Sequence, residues 1–135
     1  MPIEFVELQA AENPKLLNSE WFILKNSTDK VFSTRNCTVE VSRKGNKKTR
    51  ALGTMDPGFS MAPGESVRVI TGNPGRKAHG SPPTDDVKSY HLFLGAAYLK
   101  GDGVIVRLRL RSLSLASCEF QREGERGLAP AKTAS

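Results

Sequence analysis

Short apolar alternations separated by turn-forming residues run along this chain, and they predict strands rather than helices. Ile3–Leu8 alternates weakly and reads as a first strand, broken by Asn13-Pro14. Trp21–Leu24 is apolar on both faces, as in a central strand. It stops at Asn26-Ser27-Thr28-Asp29, whose side chains can hydrogen-bond their own backbone and turn the chain. Thr38–Ser42 alternates cleanly, with Val39 and Val41 predicted inward and Thr38, Glu40 and Ser42 outward. Lys44-Gly45-Asn46 follows as a hairpin turn and Thr49–Leu52 as the returning strand. Asp56-Pro57-Gly58 is a further turn, and Ala62-Pro63-Gly64-Glu65 launches Ser66–Thr71 with Val67 and Val69 on one face. No stretch sustains a capped helical period.

The second half begins with one long loop, residues 72–87, rich in Gly, Pro and charge. Loops of that length are usually functional or mobile. Tyr90–Leu94 resumes an apolar segment, and Lys100-Gly101-Asp102-Gly103 turns into the last β run, Val104–Phe120. In that run Val104, Val106, Leu108 and Leu110 share one parity and Arg107, Arg109 and Arg111 the other. The apolar phase then slips to Leu113 and Leu115, and back to Cys118 and Phe120. Such a slip marks a turn or bulge, so two strands joined near Arg111–Ser114 are predicted. From Gln121 the composition turns polar and Gly/Pro/Ala-rich, giving a folded unit over 1–120 and a disordered tail over 121–135.

Together these elements predict an all-β, antiparallel sandwich of about seven to nine strands. Trp21, Val39, Val67 and Val106 are the expected shared core, with Phe22, Phe93 and Phe120 as further core aromatics.

Three segments carry a family resemblance. Glu20–Asp29 resembles the strand, Leu-Lys-Asn and Ser/Thr/Asp signature of the lamin-tail domain family. Met61–Gly72, with its Pro-Gly-Glu-Ser-Val, resembles the second signature, and Lys100–Leu108 the third, a Gly-Asp turn feeding a closing hairpin. Order and spacing agree across about residues 3–120. The resemblance implies an immunoglobulin-like sandwich with no catalytic residues. Two departures stand out. Arg35-Asn36-Cys37 replaces the family's Gly-Trp pair, and the loop after Gly72 is longer.

Length, at 135 residues, fits one domain with a single core. The longest apolar run falls far short of a membrane span, and the start Met1-Pro2-Ile3-Glu4 lacks the basic-then-apolar pattern of a secretory signal. An intracellular, cytoplasmic protein without membrane insertion is therefore expected. In a reducing compartment Cys37 and Cys118 read as two small buried residues, with an inter-strand disulfide as the alternative.

Candidate chemistry is sparse. His79 and His91 have no partner at metal-ligand spacing. Gly72–Lys77 lacks the Lys-Ser/Thr and the following helix of a phosphate-binding loop. Adjacent Asp85 and Asp86 in a loop read as solvated. No enzyme, cofactor or metal is expected. The net charge of +6 is carried partly by two clusters: Arg43, Lys44, Lys47, Lys48 and Arg50 at a hairpin tip, and Arg107, Arg109 and Arg111 along one strand face. If they share a surface they form a field for nucleic-acid phosphates. Equally, such charges keep a strand edge from aggregating, and no aromatics are interleaved for base stacking. The leading expectation is a non-catalytic interaction or scaffolding module for a protein partner. It would bind through an exposed strand edge or through the long loop, where Arg76, Lys77, His79, Asp85 and Asp86 are the candidates. A DNA-binding module using the two basic clusters is the alternative.

Overall fold

The computed structural model of the protein describes residues 3–46 and 48–129. Residues 1–2, Lys47 and residues 130–135 lie outside the described residues, and with them the expected basic role of Lys47 and the end of the expected tail. The strands are β1 (Ile3–Gln9), β2 (Trp21–Asn26), β3 (Phe32–Ser33), β4 (Cys37–Arg43), β5 (Thr49–Thr54), β6 (Ser60–Met61), β7 (Ser66–Ile70), β8 (Lys88–His91), β9 (Val104–Leu110) and β10 (Leu113–Glu119). They form an all-β sandwich. One sheet has the order β1-β2-β7-β8 and the other β10-β9-β4-β5, while β3 and β6 make a two-stranded ribbon. Among the described residues helical structure is confined to three short 3-10 turns, and no helix is long and apolar enough to cross a membrane.

Among the described residues every strand pairing is antiparallel except β7 with β8, which run parallel from Val67↔Lys88 to Ile70↔His91. A parallel pair cannot be closed by a tight hairpin. The loop over residues 72–87 is the crossover that this geometry demands, which accounts for its length.

The inner faces follow the alternation. Phe22, Leu24, Val39, Val67, Val69, Val106 and Leu108 are all buried between the sheets, and full burial of such a side chain stabilises by about 1.5–3 kcal/mol. Trp21 differs from the expectation. An apolar run has no phase of its own, so its neighbours set it: Phe22 lies opposite Leu8 and Val69 and takes the inner face. Trp21 is left on the outer face, half-buried, with the Arg68 guanidinium 4.5 Å from its ring centroid. Phe93, also expected in the core, is 63% exposed, whereas Phe120 is buried. Glu40, predicted to face out, does face outward, and there it is buried beside two arginines.

The phase slip after β9 has two causes. Arg111, at φ 57°, forms the turn between β9 and β10, and a register shift between Ser114 and Ala116 absorbs Leu115. Ala116 then faces Leu108 and Cys118 faces Val106. The segment from Gln121, read as the start of a disordered tail, is instead held through Ala129. Phe120 bridges Leu128, Gln121 N–H donates to the Gly127 carbonyl at 2.9 Å, and Ala129 N–H donates to the Glu119 carbonyl at 3.0 Å. Leu128, packed against the core, is the apolar anchor that a reading by composition overlooks.

Asn26 ties two of the turn segments together. Its buried side chain accepts from Thr28 N–H and hydroxyl, and donates to the carbonyls of Lys30 and Met61. Its own carbonyl accepts from Gly64 N–H at 2.7 Å, and Gly64 adopts φ 79°, where a side chain would be strained.

Candidate functional site

The two sheet edges β5 and β8 face one another across a groove of about 400 Å³. Its β5 wall is formed by Gly53 and Thr54, continuing into Asp56 and Pro57. Its β8 wall is Ser89, Tyr90 and His91, continuing into Leu92 and Phe93. Neither strand has a pairing partner on its outer side among the described residues, so both walls present open backbone donors and acceptors. The opposite flank differs, because there β1 packs against β10.

Local hydrogen bonds fix the β8 wall. Leu92 N–H donates to the Ile70 carbonyl and Leu94 N–H to the Thr71 carbonyl, each at 2.8 Å, prolonging the parallel ladder beyond β8. Phe93, between them, adopts φ 56° and projects outward. That conformation is uncommon for a bulky residue, and it presents an aromatic ring to solvent at the groove rim. Tyr90 is braced from the other side by Phe59, with ring centroids 5.0 Å apart.

The chain leaving β8 is secured by a buried carboxylate that sequence reading passed over. Glu20 is fully buried at the start of β2. It accepts from the Thr71 hydroxyl at 2.8 Å, from Leu99 N–H at 3.0 Å and from Tyr98 N–H at 3.2 Å. Burial raises its pKa above the usual carboxylate range, and these hydrogen bonds, with nearby Lys100, hold part of that rise back. Burial also pushes the Tyr98 phenol up, and the Glu20 carboxylate adds to the effect. The only signal in the sequence was an acidic residue abutting an apolar run.

The long loop is more tightly anchored than a mobile binding loop. Asp85 receives a two-pronged hydrogen bond from Arg68, at 2.9 and 2.8 Å, and this holds its carboxyl below the usual range. Asn18 donates to the carbonyls of Asn73 and Gly80. A side chain at Gly72 would collide with Asn18, so the glycine permits that approach. His79 Nδ1 accepts from Asn73 N–H, and His91 Nδ1 lies 3.1 Å from the Gly72 carbonyl. Both histidines thus contact the main chain around one turn. Arg76, Lys77 and Asp86 remain exposed, so the five candidates of this loop do not converge.

The strand-borne arginines of the two basic clusters lie on opposite faces of one sheet. Arg107 pairs across from Glu40 and Arg109 from Thr38, on the outer face. Both arginines reach Glu40, at 3.6 and 3.2 Å. Arg50 stands opposite Val41, and Arg43 opposite Val104, positions whose partners point to the core. Arg111 is in the β9–β10 turn, and Lys44 reaches Glu119 at 3.8 Å. The condition for one shared field is not met by these four arginines: strand register sets Arg43 and Arg50 on one side of the sheet and Arg107 and Arg109 on the other. Lys47 lies outside the described residues.

Cys37 and Cys118 are both free, Cys37 buried and Cys118 half-buried. Among the described residues no group of three His, Cys, Asp or Glu is placed to hold a metal ion. No family profile matches this chain, and no curated protein compared with it matches either.

Proposed function

We propose that this protein is a non-catalytic interaction module that receives an extended segment of a partner protein in the groove between β5 and β8. One observation carries the reading: two unpaired strand edges form facing walls of the same groove, with Phe93 63% exposed at the rim. An extended backbone pairs with a row of edge N–H and C=O groups in register, while the rim aromatic supplies the apolar anchor. The resemblance of three segments to lamin-tail domains, which implies an immunoglobulin-like scaffold without catalytic residues, agrees with this role. Two free cysteines agree with a reducing, intracellular setting.

The test compares Phe93→Asp with Leu113→Asp, an equally exposed apolar position at the far β9–β10 turn. Affinity capture with the wild type and with Leu113→Asp is expected to recover the same partner, and Phe93→Asp to lose it at unchanged thermal stability. Partner binding is also expected to slow amide exchange along β5 and β8. Equal recovery by all three proteins rules the groove out.

A further inference from the structure

We propose that a second recess, at the hairpin end of the sandwich, is a binding site for a phosphate group. It has a volume of about 250 Å³ and is lined by Arg43, Lys48, Arg50 and Lys100 above an apolar floor that includes Val41 and Val104.

The register explains how these cations meet. Cys37, Val39 and Val41 alternate inward along β4, so Arg43, two residues further on, leaves the strand on the same side. Arg50 is placed opposite Val41 on the neighbouring strand, Lys48 follows the hairpin turn, and Lys100 arrives from the loop before β9. Four cations from three segments thus line one concavity, while Arg107 and Arg109 point to the other face.

Among the described residues no acidic side chain neutralises the cations of this recess. Lys44, Arg68, Lys88, Arg107, Arg109 and Arg126 each have a carboxylate within ion-pair distance. None of the four recess cations has one among the described residues. The nearby acids are already engaged. Glu119 is paired with Lys44, Asp102 accepts from Arg122 N–H, and Glu20, whose carboxylate feels the charge of Lys100, is buried and enclosed by Thr71, Tyr98 and Leu99. Like charges gathered on a concave surface repel, and the same geometry focuses their field on an incoming anion. A carboxylate has too few acceptor sites for two guanidinium forks and two ammonium groups, whereas a phosphate dianion can accept from several at once. The phosphate can belong to a small anion or to a nucleic-acid backbone, and experiment separates the two.

The probe is inorganic pyrophosphate, titrated calorimetrically into the full chain. Saturable single-site binding is expected in about 20 mM salt, weakening steeply by about 200 mM. Arg50→Gln and Lys100→Gln are each expected to reduce affinity about tenfold, from loss of one charge-assisted contact. Arg107→Gln and Phe93→Asp are expected to leave it unchanged, and all four substitutions fall on half-buried or exposed side chains, with folding checked by thermal melting. In a parallel arm, a short DNA duplex that binds with the same dependence on Arg50 and Lys100, and is displaced by pyrophosphate, assigns the phosphate to a backbone. A duplex that fails to bind assigns it to a small anion. Absence of saturable pyrophosphate binding in low salt overturns the site, as does equal loss on Arg107→Gln, which would mean general basicity. Because the recess and the groove use different residues, failure here leaves the partner reading standing.

Discussion

Replacing Glu20 by alanine removes the one acceptor group that holds Thr71, Tyr98 and Leu99 together. The alanine protein keeps three donors at a site where the Glu20 side chain is wholly buried, with no group to receive them. A buried donor left unsatisfied costs about 1–3 kcal/mol, so the three together set a ceiling of about 9 kcal/mol. Relief from burying a carboxylate offsets part of that loss, and a net destabilisation of about 3 kcal/mol is expected. For a chain of this size that corresponds to a fall in melting temperature of roughly 10 °C. Glutamine is different. Its amide oxygen can accept from Tyr98 and Leu99 N–H while its NH2 donates to the Thr71 hydroxyl, so Glu20→Gln is expected to cost under about 1 kcal/mol.

The same site has a pH signature of definite sign. The folded pKa of Glu20 is raised, so between the ordinary glutamate value and that raised value the folded chain holds a proton that the unfolded chain has released. Through that window the wild type loses stability relative to Glu20→Gln as pH rises; below and above it, the difference is flat. Urea unfolding of both proteins from acid to neutral pH measures this difference directly, with the other carboxylates cancelling between the two. A wild type that gains on the glutamine variant with rising pH, or an alanine variant within about 1 kcal/mol of wild type, refutes the buried-anchor reasoning.

Two further substitutions probe the surfaces that flank the candidate sites. Asp85→Asn is expected to free the crossover loop from Arg68, shifting the emission of Trp21, the only tryptophan, and speeding proteolysis within residues 72–87. Because the Asp85 pKa is lowered, the wild-type tether should survive below the ordinary aspartate range and be lost only as pH falls further; emission that titrates as in a free aspartate contradicts it. Glu40→Ala leaves Arg107 and Arg109 repelling one another across the outer face, and should destabilise by about 1–2 kcal/mol, with part of the loss recovered in high salt. Salt-independent melting of that variant contradicts it.

What the sequence revealed divides along a physical line. Alternation reports which side of a strand faces apolar surroundings, so β4, β7 and β9 were placed with their inward residues correct. A run that is apolar throughout carries no such phase. Trp21 took the outer face because pairing with β1 and β7 committed Phe22 to the core, and that commitment lies in distant residues such as Leu8 and Val69. Polar residues pose the same problem in stronger form. Glu20, Glu40 and Arg68 look like surface charge in one dimension, yet each is buried with its partners far along the chain, Thr71 and Leu99, Arg109, and Asp85. Loop length, by contrast, was legible, but its cause was not: only the parallel pairing of β7 with β8 explains why seventeen residues, 71–87, intervene. Both candidate sites belong to this second category. The groove exists because a crossover leaves β8 on a sheet edge opposite β5, and the recess exists because register turns Arg43 and Arg50 away from Arg107. A site made by register is therefore best tested by paired substitutions on opposite faces of one strand pair, since residues adjacent in sequence then predict different outcomes.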